Sequence, residues 1–195
     1  MSLAPSSLGP VYGLVFKHFI LRMGPEQAHT FSVKAFGAAW PLLKVARVLG
    51  IITRVPAGAG VDALGLHFQG PLGLAAGMDK NAIAVRGLAA TGFSHVEIGT
   101  VTAQAQPGNE PPRSWRELYI KGLRNRMGFN NEGADSVARR LARLRSRRSG
   151  KGLVVGVNIG KTKATPAEDA HLDYAYSARA LAPYADYLVV NVSSP

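Results

Sequence analysis

The sequence predicts an α/β fold built on a parallel sheet, preceded by a small helical segment. Three observations carry this reading. After residue 60, four apolar runs recur between helical stretches: "PLGLAAGM" (71–78), "HVEIGT" (95–100), "LVVGVNI" (153–159) and "DYLVVNV" (186–192). They lack alternation, as expected of parallel strands buried on both faces. Polar residues gather where the runs end, at Asp79-Lys80, Thr100, Asn158 and Asn191. Before residue 60 the apolar spacing is helical. Repetition of this kind builds either a doubly wound sheet or a (β/α)8 barrel, and in a barrel the C-terminal rim carries the active site.

Taken in order, residues 11–53 read as short helices punctuated by Gly24-Pro25 and Pro41, with Val11, Leu14, Val15, Phe19, Phe31 and Phe36 at near-helical spacing. "VPAGAG" (55–60) reads as a linker. "VDALGLHF" (61–68) alternates well enough for a small surface hairpin. Helices are expected around 80–91, 132–148 and 166–182, the last started by a capping box with Thr165 as N-cap, Pro166 at the first position and Glu168 at the third. The Pro- and Gly-rich stretch 101–131 exceeds an ordinary strand–helix connection, so it is functional or disordered.

Composition bounds the function. A chain of 195 residues with 47% hydrophobic and 18% charged side chains is globular, one domain or one domain with an appendage. Without cysteine there is no disulfide, no thiolate metal site and no cysteine nucleophile. The net charge of +11 calls for an anionic partner: nucleic acid, a phosphate-bearing cofactor, an acidic substrate or a membrane surface. Residues 1–60 set Lys17, Arg22, Lys34, Lys44, Arg47 and Arg54 against Glu26 alone, a net +5. No apolar run approaches the roughly 18 residues of a spanning helix, and "MSLAPSSLGP" lacks a charged signal-peptide start.

Single motifs decide little. "GVNIGKT" (156–162) is one residue short of a phosphate-binding P-loop, and Gly70, Gly73 and Gly77 miss the dinucleotide fingerprint. In "SVARRLARLRSRRSGK" (136–151) Val137, Leu141 and Leu144 form an inner stripe beneath solvated arginines, with no aromatic residue to stack on bases; no nucleic-acid partner is expected. His18, His29, His67, His95 and His171 show no metal-ligand spacing. "NRMGFNN" (125–131) stands out, because asparagines both donate and accept and so suit a planar ligand with carbonyl and N–H edges.

Together "GLAAGMDK" (73–80), "EIGTVTAQAQPGN" (97–109), "NRMGFNN", "GVNIGKTK" (156–163) and "YLVVNVSSP" (187–195) resemble the class 2, quinone-dependent and membrane-associated dihydroorotate dehydrogenases. The resemblance runs from "PEQAH" (25–29) to the last residue and implies a (β/α)8 TIM barrel holding FMN. The implied reaction is oxidation of dihydroorotate to orotate in pyrimidine synthesis, with electrons passed to a membrane quinone.

The same resemblance assigns residues. Ala76, Gly77, Met78, Asp79, Lys80, Thr100, Asn158 and Asn191 would meet FMN. Lys80, Asn125, Arg126, Met127, Gly128, Phe129 and Asn191 would meet the substrate. Ser194 would be the catalytic base, with Lys80 as a nearby cation, and no metal is implied. Residues 1–60 would form a helical domain lying on the cytoplasmic face of the cell membrane, with His29 and Arg116 at the quinone end of its tunnel, and residues 61–195 the first half of the barrel. Arg124 and Trp115 depart from the family pattern, which leaves the packing beneath "NRMGF" open. A barrel needs roughly 250 residues, so this chain is expected to be the N-terminal part of a longer one, partnered by a C-terminal barrel half. The alternative is a non-catalytic homologue that keeps one half for binding.

Overall fold

The structure, a computed structural model, describes residues 9–52, 55–56, 58–147, 150 and 152–193, without the side chains of Pro10 and Val11. Ser194, Pro195, the first eight residues and part of the 55–60 linker lie outside the described residues. Two helices come first, α1 (Gly9–His18) and α2 (Pro25–Val48), joined by a 3-10 turn at Ile20–Arg22. A hairpin of β1 (Val61–Ala63) and β2 (Leu66–Phe68) follows. It turns on Leu64 and Gly65, both at positive φ, where the sequence pattern places a hairpin.

The barrel-like part contains α3 (Val85–Ala90), β3 (His95–Val101), β4 (Ser114–Glu117), β5 (Gly122–Asn125), α4 (Ala134–Ser146), β6 (Val154–Gly160), α5 (Ala170–Leu181) and β7 (Tyr187–Asn191). The parallel sheet runs β3–β6–β7. The 71–78 run lies beside β3 as a fourth parallel member. Leu74 bridges Val96, and the ladder continues through Ser94 N–H to Leu72 O, Leu74 N–H to His95 O, Glu97 N–H to Leu74 O and Gly77 N–H to Gly99 O.

Spatial order thus equals chain order. All three intervening helices pack on one face, where Val96, Ile98, Val101, Val155, Val157 and Ile159 form one core with Val85, Leu88, Val137, Leu141, Leu144 and Leu181. A doubly wound sheet would reverse its order and cover both faces. This is four-strand barrel geometry, with the opposite face lined by Glu97, Thr100, Gly156, Asn158, Tyr187 and Asn191. β3 carries a bulge, since Ile98 pairs with Val157 but Val101 with Ile159. The extra residue sends Val101 to the helices and Thr100 to the inner face.

Three local expectations are corrected. Pro41 does not end a helix: α2 runs through it for 24 residues. Helices of this kind are held by packing more than propensity, and α2 is clamped on α3. A Cβ on Gly87 would stand 1.9 Å from Phe36 O, and one on Gly37 would stand 2.9 Å from Ile83 O. The first barrel helix starts at Val85 and not near 80, because the Asp79 carboxylate draws in the N–H groups of Asn81, Ile83 and Ala84 at 3.3, 2.9 and 2.7 Å. The Thr165 capping box does not form: Thr165 donates its hydroxyl to Asp173 at 2.9 Å, and α5 begins at Ala170. Of the two expectations for the 101–131 stretch, functional or disordered, the second falls away, because β4 and β5 form an antiparallel hairpin within it.

On that hairpin Arg124 and Trp115 answer each other. The guanidinium lies 4.9 Å from the indole centroid and donates to Glu117 at 3.1 Å, so one departure from the family pattern packs on the other. Among the described residues no helix is long and apolar enough to cross a membrane.

The α2–α3 contact makes a test. Gly87→Ala in the full-length chain should cost about 1–3 kcal/mol by overpacking and expose α2 to limited proteolysis. A variant with the wild-type denaturation midpoint and digestion pattern would show that this approach is not tight.

Candidate functional site

A cavity of about 610 Å³ opens at the C-terminal ends of the strands. Ala76, Gly77, Lys80, Thr100, Asn125, Met127, Gly128, Phe129, Asn158 and Asn191 line it, together with His29 from α2. Eleven side chains or backbone positions expected from sequence therefore converge. They come from the ends of four parallel segments, from the strand β5 with the loop after it, and from one turn of α2.

The polar floor of the cavity is one hydrogen-bonded chain across three strands. Asn191 Nδ2 donates to Thr100 Oγ1 at 3.2 Å, and Thr100 Oγ1 donates to Asn158 Oδ1 at 2.6 Å. Asn158 Nδ2 donates to Glu97 Oε1 at 3.1 Å, and Tyr187 OH to Glu97 Oε2 at 3.4 Å. Burial, with the Glu97 carboxylate next, pushes the Tyr187 phenol up to about 12. Gly160 makes room above this floor, because a Cβ there would lie 2.6 Å from Thr100 and 3.2 Å from the Phe129 ring.

The 126–131 loop forms the roof and is strapped by amides. Asn109 donates to Arg126 O at 2.8 Å, Gln106 to Gly128 O at 3.1 Å and Asn131 to Phe129 O at 2.7 Å. Phe129 is held at φ +51° behind Gly128 at +72°, a conformation that costs energy for a bulky residue and persists only where the surroundings enforce it.

Lys80 supplies the cation. Its Nζ donates to Asn130 Oδ1 at 2.8 Å. Burial lowers its pKa and Glu26 partly restores it. His29 sits beside it in a smaller annex of about 110 Å³ that also contains Met78 and Asp79. Burial, then the Lys80 charge, holds the His29 imidazole below the ordinary histidine value. Glu26 is gripped by Arg113, Nε to Oε2 at 3.0 Å and an Nη to Oε1 at 2.5 Å, and this hydrogen bonding lowers the Glu26 pKa. The bridge ties the start of α2 to the segment before β4.

Four of the expected residues stand apart from the large cavity. Asp79 is 1% exposed and spends its carboxylate on the backbone of residues 81–84. Met78 packs against the core. Arg126 is exposed and donates to Pro112 O at 3.2 Å. Arg116 donates to Met23 O and Ile20 O at 2.7 and 3.1 Å, holding the turn between α1 and α2. The expected base, Ser194, is outside the described residues; the structure reaches Ser193, which donates N–H and Oγ to Asn191 Oδ1 at 2.9 and 2.6 Å.

Sequence reasoning missed Glu97, Glu26 and Asn130. Glu97 had a signal, since a carboxylate between Val96 and Ile98 in a buried strand must have partners. Glu26 and Asn130 had none beyond their motifs, because their partners Arg113 and Lys80 are 87 and 50 residues away.

Comparison with known proteins places this architecture. A family model described as "Dihydroorotate dehydrogenase" matches residues 59–195. A dihydroorotate dehydrogenase (quinone) of Clavibacter michiganensis subsp. michiganensis is 52% identical over 185 residues, covering 95% of this chain and 53% of the relative. One from Leifsonia xyli subsp. xyli is 50% identical with the same coverage. Among solved structures, a DHODH of Eimeria tenella in complex with ferulenol gives a TM-score of 0.69 at 36% identity, covering 95% of this chain and 47% of that one. Its ligand-free form gives 0.67 at 38% identity, with 81% and 46% covered. The chain spans about half the length of the curated relatives it matches.

The Glu26–Arg113 bridge yields a pH test. Glu26→Gln in the full-length chain should cost about 1 kcal/mol near neutrality, allowing for solvent screening. The carboxylate pKa is depressed on folding, so the contribution is present above the ordinary carboxylate value and is lost as pH falls through the folded one. Stability curves of the two proteins should therefore converge in acid. A gap that persists unchanged at low pH would assign the loss to packing.

Proposed function

This chain belongs to the dihydroorotate dehydrogenase family, and on that footing we propose that the full-length protein oxidises dihydroorotate to orotate with FMN and passes the electrons to a membrane quinone. The observation that carries the reading is the convergence of Lys80, Thr100, Asn158, Asn191 and the 125–129 loop on one cavity at the strand ends. The residues fit a flavin. Gly77, at φ +109°, lines the cavity with no protein atom within 4 Å of where a Cβ would be, so a flat ring can approach the backbone. The amides of Asn158 and Asn191 and the hydroxyl of Thr100 suit a heterocycle with donor and acceptor edges.

In this reading Ala76, Gly77, Thr100, Asn158 and Asn191 hold FMN, with Met78 and Asp79 shaping the turn that presents them. Asn125, Met127, Gly128 and Phe129 close over the substrate, and Arg126 anchors that loop to Pro112. Lys80 offsets the substrate carboxylate and the negative charge that develops as carbon 5 loses its proton. Ser194 takes that proton. The chemistry a bound FMN supplies is acceptance of the hydride from carbon 6. A serine is a weak base by its own pKa, so the step relies on a proton outlet and on stabilisation of the developing charge. Four further strands close the barrel and complete the flavin site.

Residues 1–60 form the second functional unit. Tyr12, Leu14, Val15, Phe19 and Phe31 are 46–62% exposed on α1, α2 and the turn between them, and the segment is basic, features suited to lying on an anionic bilayer without crossing it. His29 and Arg116 serve the quinone end, His29 beside the cavity and Arg116 by fixing the turn between the helices. The protein is then peripheral, on the cytoplasmic face of the cell membrane.

Two experiments test this. Ser194→Ala in the full-length protein should retain FMN and bind orotate while reducing its flavin slower by orders of magnitude, with partial recovery at high pH. Wild-type flavin reduction in stopped flow would dismiss Ser194 as the base. Deletion of residues 1–60 should spare flavin reduction and turnover with a soluble dye but weaken turnover with long-tailed quinones and binding to anionic vesicles. Unchanged quinone turnover would dismiss the tunnel.

A further inference from the structure

Glu97 lies on the inner face of β3 and lines the same cavity as Thr100, Asn158 and Asn191, yet neither the resemblance nor the proposed reaction gives it a role. An ionised carboxylate only accepts hydrogen bonds. Facing Glu97 Oε1, Asn158 must therefore present Nδ2, at 3.1 Å. Its Oδ1 is then turned to Thr100 and must receive a proton, so Thr100 Oγ1 is the donor in the 2.6 Å bond. With its one proton spent, Thr100 Oγ1 can only accept from Asn191, which offers Nδ2 at 3.2 Å. Asn191 Oδ1 is left facing Ser193, from which it accepts two bonds at 2.9 and 2.6 Å.

The chain is thus fixed from both ends, by the acceptor-only carboxylate of Glu97 and by the donor-only backbone N–H of Ser193. Thr100 and Asn158 are only 7% and 6% exposed, so solvent cannot readily satisfy a reversed amide, and an unpaired buried group costs about 1–3 kcal/mol. Tyr187 donates from below, and its raised pKa keeps it a donor through the neutral range.

We infer that Glu97 is a positioning residue: as an acceptor-only anchor it fixes the amide orientation of Asn158 and, through the Thr100 proton, keeps it matched to Asn191, and so sets the donor–acceptor pattern offered to the flavin. The inference rests on the proposed reading of the site. It requires no contact between Glu97 and the ligands.

The test uses the full-length protein with Glu97→Gln, Glu97→Leu and Glu97→Lys. Gln keeps a carbonyl for Asn158, Leu offers nothing, and Lys offers a donor that turns the Asn158 amide over and breaks its match to Thr100 and Asn191. Flavin reduction by dihydroorotate should fall in the order wild type, Gln, Leu, Lys. The Leu variant should lose on the order of 10- to 100-fold, the range seen when the partners of ligating side chains are removed, and Gln should recover most of it. A readout independent of turnover is the side-chain amide ¹H–¹⁵N signals of Asn158 and Asn191. They should move together in the Leu and Lys variants and stay near their wild-type positions in Gln. Where Leu fails to fold, the contrast between Gln and Lys carries the same information.

Equal losses in Gln and Leu, with unmoved Asn191 signals, would reduce Glu97 to a space-filling group and overturn the inference. A wild-type protein that neither holds FMN nor oxidises dihydroorotate would overturn the functional reading instead, while leaving the amide test of Glu97 to be decided by its own signals.

Discussion

The single extra residue in β3 between Ile98 and Val101 is the constraint on which the site depends. Side chains along a strand alternate between faces, so a regular strand would send Thr100 to the helices and Val101 to the barrel interior. The bulge reverses both, and Val101 completes the helix-facing core at 0% exposure while Thr100 joins Asn158 and Asn191. Glycine is required at the bulge. Gly99 has φ +112°, and a Cβ on it would stand 2.4 Å from Asn158 O. A backbone irregularity thus converts three ordinary strand ends into one continuous polar floor.

Below that floor the inner face changes character. The rings of Phe68, His95 and Tyr187 follow one another at 4.9 and 6.2 Å between centroids. Room for them comes from their neighbours. A Cβ on Gly73 would meet the His95 ring at 2.0 Å, and one on Gly156 the Tyr187 ring at 2.1 Å. An aromatic layer at the base and a polar layer at the rim explain why a strand as apolar as "DYLVVNV" ends by delivering an amide. Leu188 packs against the helices, Tyr187 belongs to the lower inner layer, and Asn191 reaches the upper one.

What was legible in the sequence is residue type and spacing. The four buried runs and the inner stripe of α4 are local patterns, and Val137, Leu141 and Leu144 are buried as their spacing requires. The site motifs were legible as residue types at strand ends. The failures lie in which partner a side chain or helix takes, near or far along the chain. Nothing near Pro41 signals that Gly87 sits under Phe36 and holds α2 together. Nothing near Thr165 signals that Asp173 takes its hydroxyl in place of a helix cap. Asp79 looked like a ligand at a strand end, yet its carboxylate is used by three N–H groups of its own turn. Alternation was also hidden: in β6 the inner positions are Gly156, Asn158 and Gly160, small enough or rare enough that the run reads as uniformly apolar.

The helical segment is built into the site and not merely attached to it. Glu26 and His29, on the first two turns of α2, line the same cavity as Lys80, and Arg113 and Arg116 grip that end of the helix pair from the β4 side. The consequence falls on Lys80. Its ammonium carries three donors, of which Asn130 takes one. Burial disfavours its charge, and Glu26, itself neutralised by Arg113, compensates only in part. A cation held in this state favours an anionic ligand, because such a ligand both accepts the remaining N–H groups and restores the charge that burial opposes. The same burial, followed by the Lys80 charge, lowers the His29 pKa, so its imidazole contributes less positive charge here than an ordinary histidine would. The N-terminal helices therefore help to set the electrostatics around Lys80 in the cavity as well as forming the surface that faces away from it.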